Sequence, residues 1–246
     1  LSIDWTIQTP ESVHSTQDPV KELAENGIAE GAAVHALTQT GGRGRHGRSW
    51  VSEHGNLYLS VLLRPLCPAR QIGQLSILIA VALADTIRAE LARQGGLMLK
   101  WPNDILLDGR KCAGILIETG LSDDGMIAHA VLGVGVNITH APPKIGAFLN
   151  EYSLSPVDIE RFRDRFLENL GRTYTSWKEQ GFEDIRRRWL ALAHQKGANM
   201  QVRIGEQVET GAFQGIDDDG NLQLLSPEGR EKKVTAGEVY LINCGS

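Results

Sequence analysis

Cysteine is scarce in this chain. Its 246 residues include three, Cys67, Cys112 and Cys244, odd in number and widely spaced. They suit neither a disulfide framework nor the CxxC pairs of a zinc ribbon. The seven histidines show no HxxxH or HExxH spacing, so no transition-metal site is expected. No apolar run is long enough to span a bilayer. The opening LSIDWTIQTPES lacks a basic stretch followed by an apolar one, which excludes a secretory signal there. A reducing cytoplasm is the expected location. Excess positive charge is missing too: the net charge is −5 and the pI about 5.8. Nothing global pulls the chain towards nucleic acid or a membrane, so any anion site must be local. GxxxxGK(S/T) is absent, which excludes ordinary P-loop chemistry.

What remains is an ordinary globular composition, 41% hydrophobic and 22% charged, long enough to bury a sizeable core. Residues 20–26 read as a short helix ended by Gly27, and 33–38 and 56–64 as strands. Residues 69–93 carry a long helical pattern stopped by Gly95-Gly96. Three strands are expected at 97–100, 105–107 and 112–118, the last two joined by an Asp108-Gly109 hairpin turn. A strand at 126–137 and helices at 155–177 and 182–192 follow. After about Gln195 the chain breaks into short β runs separated by glycine turns, which suggests a small barrel. The expected organisation is an α/β domain over 1–194 and a β-barrel domain over 195–246.

Four constellations carry chemistry. In 39–50, QTGGRGRHGRSW, four glycines and three arginines share eight residues. Glycine lets the backbone approach an anion, arginine supplies bidentate donors, and Trp50 can stack on a base or cover a pocket. In 100–118, KWPNDILLDGRKCAGILIE, two lysines can converge on one anion. Pro102 makes the Trp-Pro-Asn-Asp stretch a rigid turn, and Asp104 beside both lysines can orient an attacking amine or take its proton. Gly133 and Gly135 leave one face of a strand bare, and Asn137 follows with an amide that can read an adenine edge. Finally, Ser15 and Thr16 offer hydroxyls to a polar ligand head; taken alone, that segment reads as a helix N-cap before Val20.

In this order, the GRGRxGRxW loop and KWPND followed by KxAGILxE resemble the biotin protein ligase family, over about Ser12 to Ile242. The resemblance implies a mixed α/β fold like the class II aminoacyl-tRNA synthetases, followed by an SH3-like barrel. It implies biotin contacts at Ser15, Thr16, Gln17, Gln39, Arg43, Gly44, Arg45 and Lys100. Gln17 departs from the family's usual asparagine. ATP contacts are implied at Arg45, Arg48, Trp50 and Asn137, and catalytic roles for Lys100, Lys111, Arg45, Arg48 and Asp104. Biotin and ATP would be the substrates, Mg²⁺ would accompany ATP, and a biotin carboxyl carrier domain of a carboxylase would be the acceptor. A homodimer through an exposed sheet edge is a further expectation; nucleic acid and membrane partners are not expected. Only about eleven residues precede the first motif, too few for the helix-turn-helix repressor module that some members carry.

Overall fold

The computed structural model describes residues 3–92 and 96–241. Cys244, Gly95 and Ile242, on which expectations rested, lie outside them. In chain order the first elements are β1 (Thr6–Gln8), β2 (Ser12–Val13), α1 (Gln17–Glu25), β3 (Ala32–Ala36), β4 (Thr38–Gln39), β5 (Leu57–Leu63) and β6 (Cys67–Pro68). Then come α2 (Ile72–Arg88), β7 (Leu97–Lys100), β8 (Asp104–Leu107), β9 (Arg110–Leu121), β10 (Met126–Val136), α3 (Ile159–Gln180) and α4 (Glu183–Leu190). The last five strands are β11 (Asn199–Ile204), β12 (Gln207–Ile216), β13 (Leu222–Leu225), β14 (Glu231–Val234) and β15 (Glu238–Leu241).

The central sheet runs β1-β3-β5-β10-β9-β8-β7, with β6 on the end of β10. It is mixed: β1 and β3 are parallel and the remaining pairs antiparallel. Helices α2 and α3 cover one face, with Leu75, Leu78, Phe162 and Phe166 fully buried in the main core. On the other face α1 packs Val20 and Ala24 on Val34, Leu62 and Val131. The same face carries the candidate site. The C-terminal strands form an antiparallel sheet, β14-β13-β12-β11-β15, as a small SH3-like domain.

Several boundaries depart from the sequence pattern. α1 begins at Gln17 rather than Val20, because Pro19 falls in its first turn, where the missing N–H costs nothing. α2 ends at Arg88, short of the expected 93. Beyond it the chain is taken up by the segment at 149–153: Ala92 N donates to Tyr152 O at 2.9 Å, and Leu91 bridges to Ser153. The third helix is shifted to 159–180, capped by Asp158, whose carboxylate accepts from Arg161 N at 2.9 Å. The Asp108-Gly109 turn has positive φ at both residues, 46° and 76°, as a two-residue hairpin requires. Ala69–Arg88 does reach the length and mean hydropathy, 1.2, of a membrane span, contrary to the sequence reading. Two thirds of it is buried within the fold (67%), and fully burying one leucine or isoleucine contributes about 1.5–3 kcal/mol, so this is the core helix.

Candidate active site

Beside α1, one cleft of about 330 Å³ collects residues from α1, β4, the 41–50 loop, β7 to β10 and β15. One end is polar and uncharged. The parallel pair β2–β4 sets Val13 opposite Gln39, which brings Gln39 beside the start of α1. There Gln39 Oε1 accepts from Thr16 N at 2.8 Å and from Thr16 Oγ1 at 3.2 Å. Thr16 Oγ1 also lies 2.7 Å from Ser60 Oγ, so its hydroxyl serves the cleft wall and makes no helix cap. Gln39 Nε2 donates to Ser52 Oγ at 2.8 Å. Gln17 Nε2 reaches Glu118 Oε2 at 3.3 Å. Its Oε1 is buried without a hydrogen-bond partner among the described residues.

The floor between the two ends is a glycine track. Gly114 and Gly135 are register partners on β9 and β10, and Gly133 lies two residues before Gly135. A Cβ on Gly133 would stand 3.1 Å from the Gln17 side chain, and one on Gly135 2.6 Å from the Trp50 indole. The bare strand face is thus covered by Gln17 and Trp50, and the indole Nε1 has no partner among the described residues.

The other end is cationic. Lys111 Nζ pairs with Asp104 Oδ1 at 2.5 Å, and Lys100 Nζ stands 3.9 Å from Asp104 Oδ2. A bulge lets this happen. β8 and β9 pair Ile105 with Ala113 but Leu106 with Lys111, and the extra residue on β9 turns Lys111 onto the face of Gly114 and Asp104. Lys111 Nζ also lies 5.3 Å from the Trp50 ring centre, a cation–π distance.

The glycine-arginine loop closes the cleft, and its three arginines reach three different walls. Arg43 pairs with Asp18 at 2.7 Å and Glu118 at 3.6 Å. Arg45 Nη1 points to Asn103 Oδ1 at 3.5 Å and donates to Gly237 O at 3.3 Å. Burial lowers its pKa, against the attraction of Asp104 and Glu238. Arg48 donates to Glu238 Oε2 at 2.6 Å, and that bond raises its pKa. Burial pushes the Glu238 carboxyl up, but hydrogen bonds from Tyr240 and Arg48 outweigh it and hold the group below its ordinary value. The loop can turn back tightly because His46 and Gly47 take left-handed φ of 55° and 71°.

Residues 9–137 match the biotin/lipoate A/B protein ligase family, and 199–242 match the biotin protein ligase C-terminal domain. A biotin–acetyl-CoA-carboxylase ligase of Paracoccus denitrificans is 39% identical over 92% of this chain and 96% of that protein. The chain belongs to the biotin protein ligase family. The corresponding ligase of Mycobacterium tuberculosis is 33% identical over 90% of this chain and 83% of its own length. The biotin protein ligase of Aquifex aeolicus, solved in complex with biotin and ATP, superposes with a TM-score of 0.79 at 27% identity. That match covers 96% of this chain and 98% of that one.

Every residue that the biotin protein ligase resemblance singled out in this chain lines the one cleft: Ser15, Thr16, Gln17 and Gln39, then Arg43, Gly44, Arg45, Arg48 and Trp50, then Lys100, Asp104, Lys111 and Asn137. Asn137 spends its amide donors on the backbone, giving Nδ2 to Lys111 O at 3.3 Å and Ala147 O at 3.1 Å. The sequence reading missed Glu238 and Tyr240, which the barrel contributes to the cleft. It also missed Asp18, an Arg43 partner. Glu118 stood at the end of a quoted motif without a role. Nothing local marks Glu238, whose place depends on how the barrel docks.

Proposed function

We propose that this chain activates biotin with ATP to biotinyl-5′-AMP and transfers the biotinyl group to a lysine of a biotin carboxyl carrier domain. One observation carries this reading: an end lined by hydroxyls and amides and an end with four cations, Arg45, Arg48, Lys100 and Lys111, share a single cleft across a backbone floor. A ureido ring wants hydrogen-bonding side chains, supplied by Ser15, Thr16, Gln17 and Gln39. A carboxylate meeting a triphosphate wants concentrated positive charge, supplied by Arg45, Arg48, Lys100 and Lys111, with Arg43 and Gly44 covering the biotin. Trp50 is assigned to the nucleotide; Asn137 lies at the same end, but with its Nδ2 engaged by Lys111 O and Ala147 O it does not donate to an adenine edge as expected.

In the first step a biotin carboxylate oxygen attacks the α-phosphorus and pyrophosphate leaves. Lys100 and Lys111 neutralise the oxygens that approach each other. In the second step the neutral ε-amine of the acceptor lysine attacks the acyl carbon of the mixed anhydride and AMP leaves; Asp104 takes the amine proton. Asp104, Glu238 and the Asn103 amide offer hard oxygen donors at the cationic end, a set that fits Mg²⁺ carried in on the phosphates. The ion would add neutralising charge there. Location in a reducing cytoplasm accords with two buried free thiols, Cys67 and Cys112. A homodimer through a sheet edge belongs to the same reading.

Lipoate or octanoate is the neighbouring alternative, but an acyl chain wants an apolar slot where this cleft sets hydroxyls and amides. Exchange of labelled pyrophosphate into ATP decides between them. Exchange with biotin and not with lipoate or octanoate is expected. Exchange with lipoate or octanoate in its place would transfer the protein to the lipoate branch.

A further inference from the structure

The turn at 101–103 carries the chemistry of its neighbours, since Lys100 and Asp104 are register partners on either side of it. Where those two charges stand depends on what holds the turn. Its own sheet holds Asn103, whose Nδ2 donates to Ile115 O at 2.6 Å while its carbonyl accepts from Ile115 N at 3.0 Å. α2 holds Pro102, whose carbonyl accepts from Ser76 Oγ at 2.7 Å. The third hold comes from the other domain. Trp101 is 4% exposed, and its indole Nε1 donates to Gly220 O at 3.0 Å.

Gly220 is built to present that carbonyl. It sits in the β12–β13 turn with φ at +83°. The Asp217 carboxylate folds the turn by accepting from Asp219 N at 3.0 Å and Asn221 N at 2.9 Å, and it pairs with Lys233 at 2.7 Å. The turn meets the first turn of α2 glycine to glycine: a Cβ on Gly220 would lie 2.7 Å from the Gly73 carbonyl carbon. Gln74 Nε2 donates to Asp218 O at 2.5 Å, and Gln74 Oε1 in turn accepts from Trp177 Nε1 at 2.7 Å. The barrel therefore grips the sheet domain immediately behind the turn that presents Lys100 and Asp104.

We propose that Trp101 is a positioning residue, through which the Gly220 turn of the C-terminal barrel sets where Lys100 and Asp104 stand in the cleft. The inference rests on the ligase reading above. A buried tryptophan that merely glued two domains together would affect stability alone. A positioning tryptophan affects turnover in protein that is fully folded, because small displacements of reacting groups cost rate steeply. The polar end of the cleft is held by α1 and β4, so biotin binding should weaken only by what its Lys100 contact contributes.

The test uses Trp101→Phe, which keeps an aromatic ring without the N–H, and Gly220→Ala, whose methyl meets the α2 backbone. Biotin-dependent pyrophosphate exchange is measured well below each protein's Tm, with biotin binding followed by calorimetry. Each variant is expected to lose about ten- to hundredfold in kcat, with biotin Kd changed by much less than kcat. The double variant should lose little more than either single one, since both act on one link. A folded Trp101→Phe protein with parental kcat overturns the proposal, as do kcat losses that multiply in the double variant. If Trp101→Phe does not fold, Gly220→Ala alone reads the same link, and parental kcat in it is equally fatal. A parent protein that supports no biotin-dependent exchange overturns the ligase reading, and this inference with it.

Discussion

Arg43, Arg45 and Arg48 stand on a glycine-rich loop, while Lys100 and Lys111 stand on strands of the central sheet. The arginines are held mainly by what their side chains reach: Asp18 and Glu118, Asn103 and Gly237, and Glu238. Each of those ties can be exchanged for a ligand anion without disturbing a strand. The lysines are held by ladder pairing of β7 with β8 and β8 with β9, and a bulge fixes which way Lys111 points. Cations tied only through their side chains suit capture and retention, whereas cations fixed by a sheet ladder suit alignment of reacting atoms. The two sets should therefore fail differently when removed.

Lys111→Met gives the largest expected effect. Pyrophosphate exchange should fall by about 10²–10³, the usual loss for one preorganised charge. The melting temperature should hardly move, because partly exposed ion pairs contribute about 0–1 kcal/mol. Near-parental exchange in that variant breaks the division between alignment and capture. Arg45→Ala comes next. Free biotinyl-adenylate should escape about tenfold faster, in the range one lost charged contact commands, with the melt close to parental. An Arg45→Ala protein that melts well below the parent yet retains adenylate would reverse the assignment. Hydrogen exchange sharpens the contrast further. Amides of 41–48 should gain protection when biotin binds, while those of β9 stay protected throughout. A loop equally protected in both states removes the capture role.

The smallest effect on activity is expected outside both regions. His35, buried against Arg163, is pushed down to about 4, first by burial and then by the Arg163 charge. Between pH 6.5 and 4 the unfolded chain binds a proton that the folded chain refuses. The resulting stability is complete above pH 6.5 and is lost as pH falls towards 4, on the order of 3 kcal/mol. Urea midpoints at pH 7 and pH 5 should separate the parent more than a His35→Gln variant, with exchange at pH 7 close to parental.

Much of this arrangement was readable in the sequence because its carriers are local. Asp108-Gly109 demanded a particular turn, and alternation drew out β10 to within one residue. The loop and the KWPND turn each announced themselves by composition. What escaped has a common cause. The end of α2 is decided by the 149–153 segment, and the start of α1 by where Pro19 falls. Glu238 and Tyr240 reach the cleft only because a separate sheet docks beside it. Long-range contacts of that kind leave no pattern within a window of twenty residues. Thr16 is instructive in another way. It looked like a helix cap, yet Gln39, 23 residues on, takes its hydroxyl for the cleft.

Four of the five tryptophans differ in one respect with a practical consequence. Trp5, Trp101 and Trp177 each give their indole N–H to a fixed acceptor: Leu167 O, Gly220 O and Gln74 Oε1. Trp50 lies across the glycine track with its N–H buried and unbonded among the described residues. Indole emission follows the polarity and hydrogen bonding of its surroundings. Trp50 is therefore a native optical gauge seated in the cleft itself: the part of the indole emission that a Trp50→Phe protein lacks should follow ligand arrival without any label.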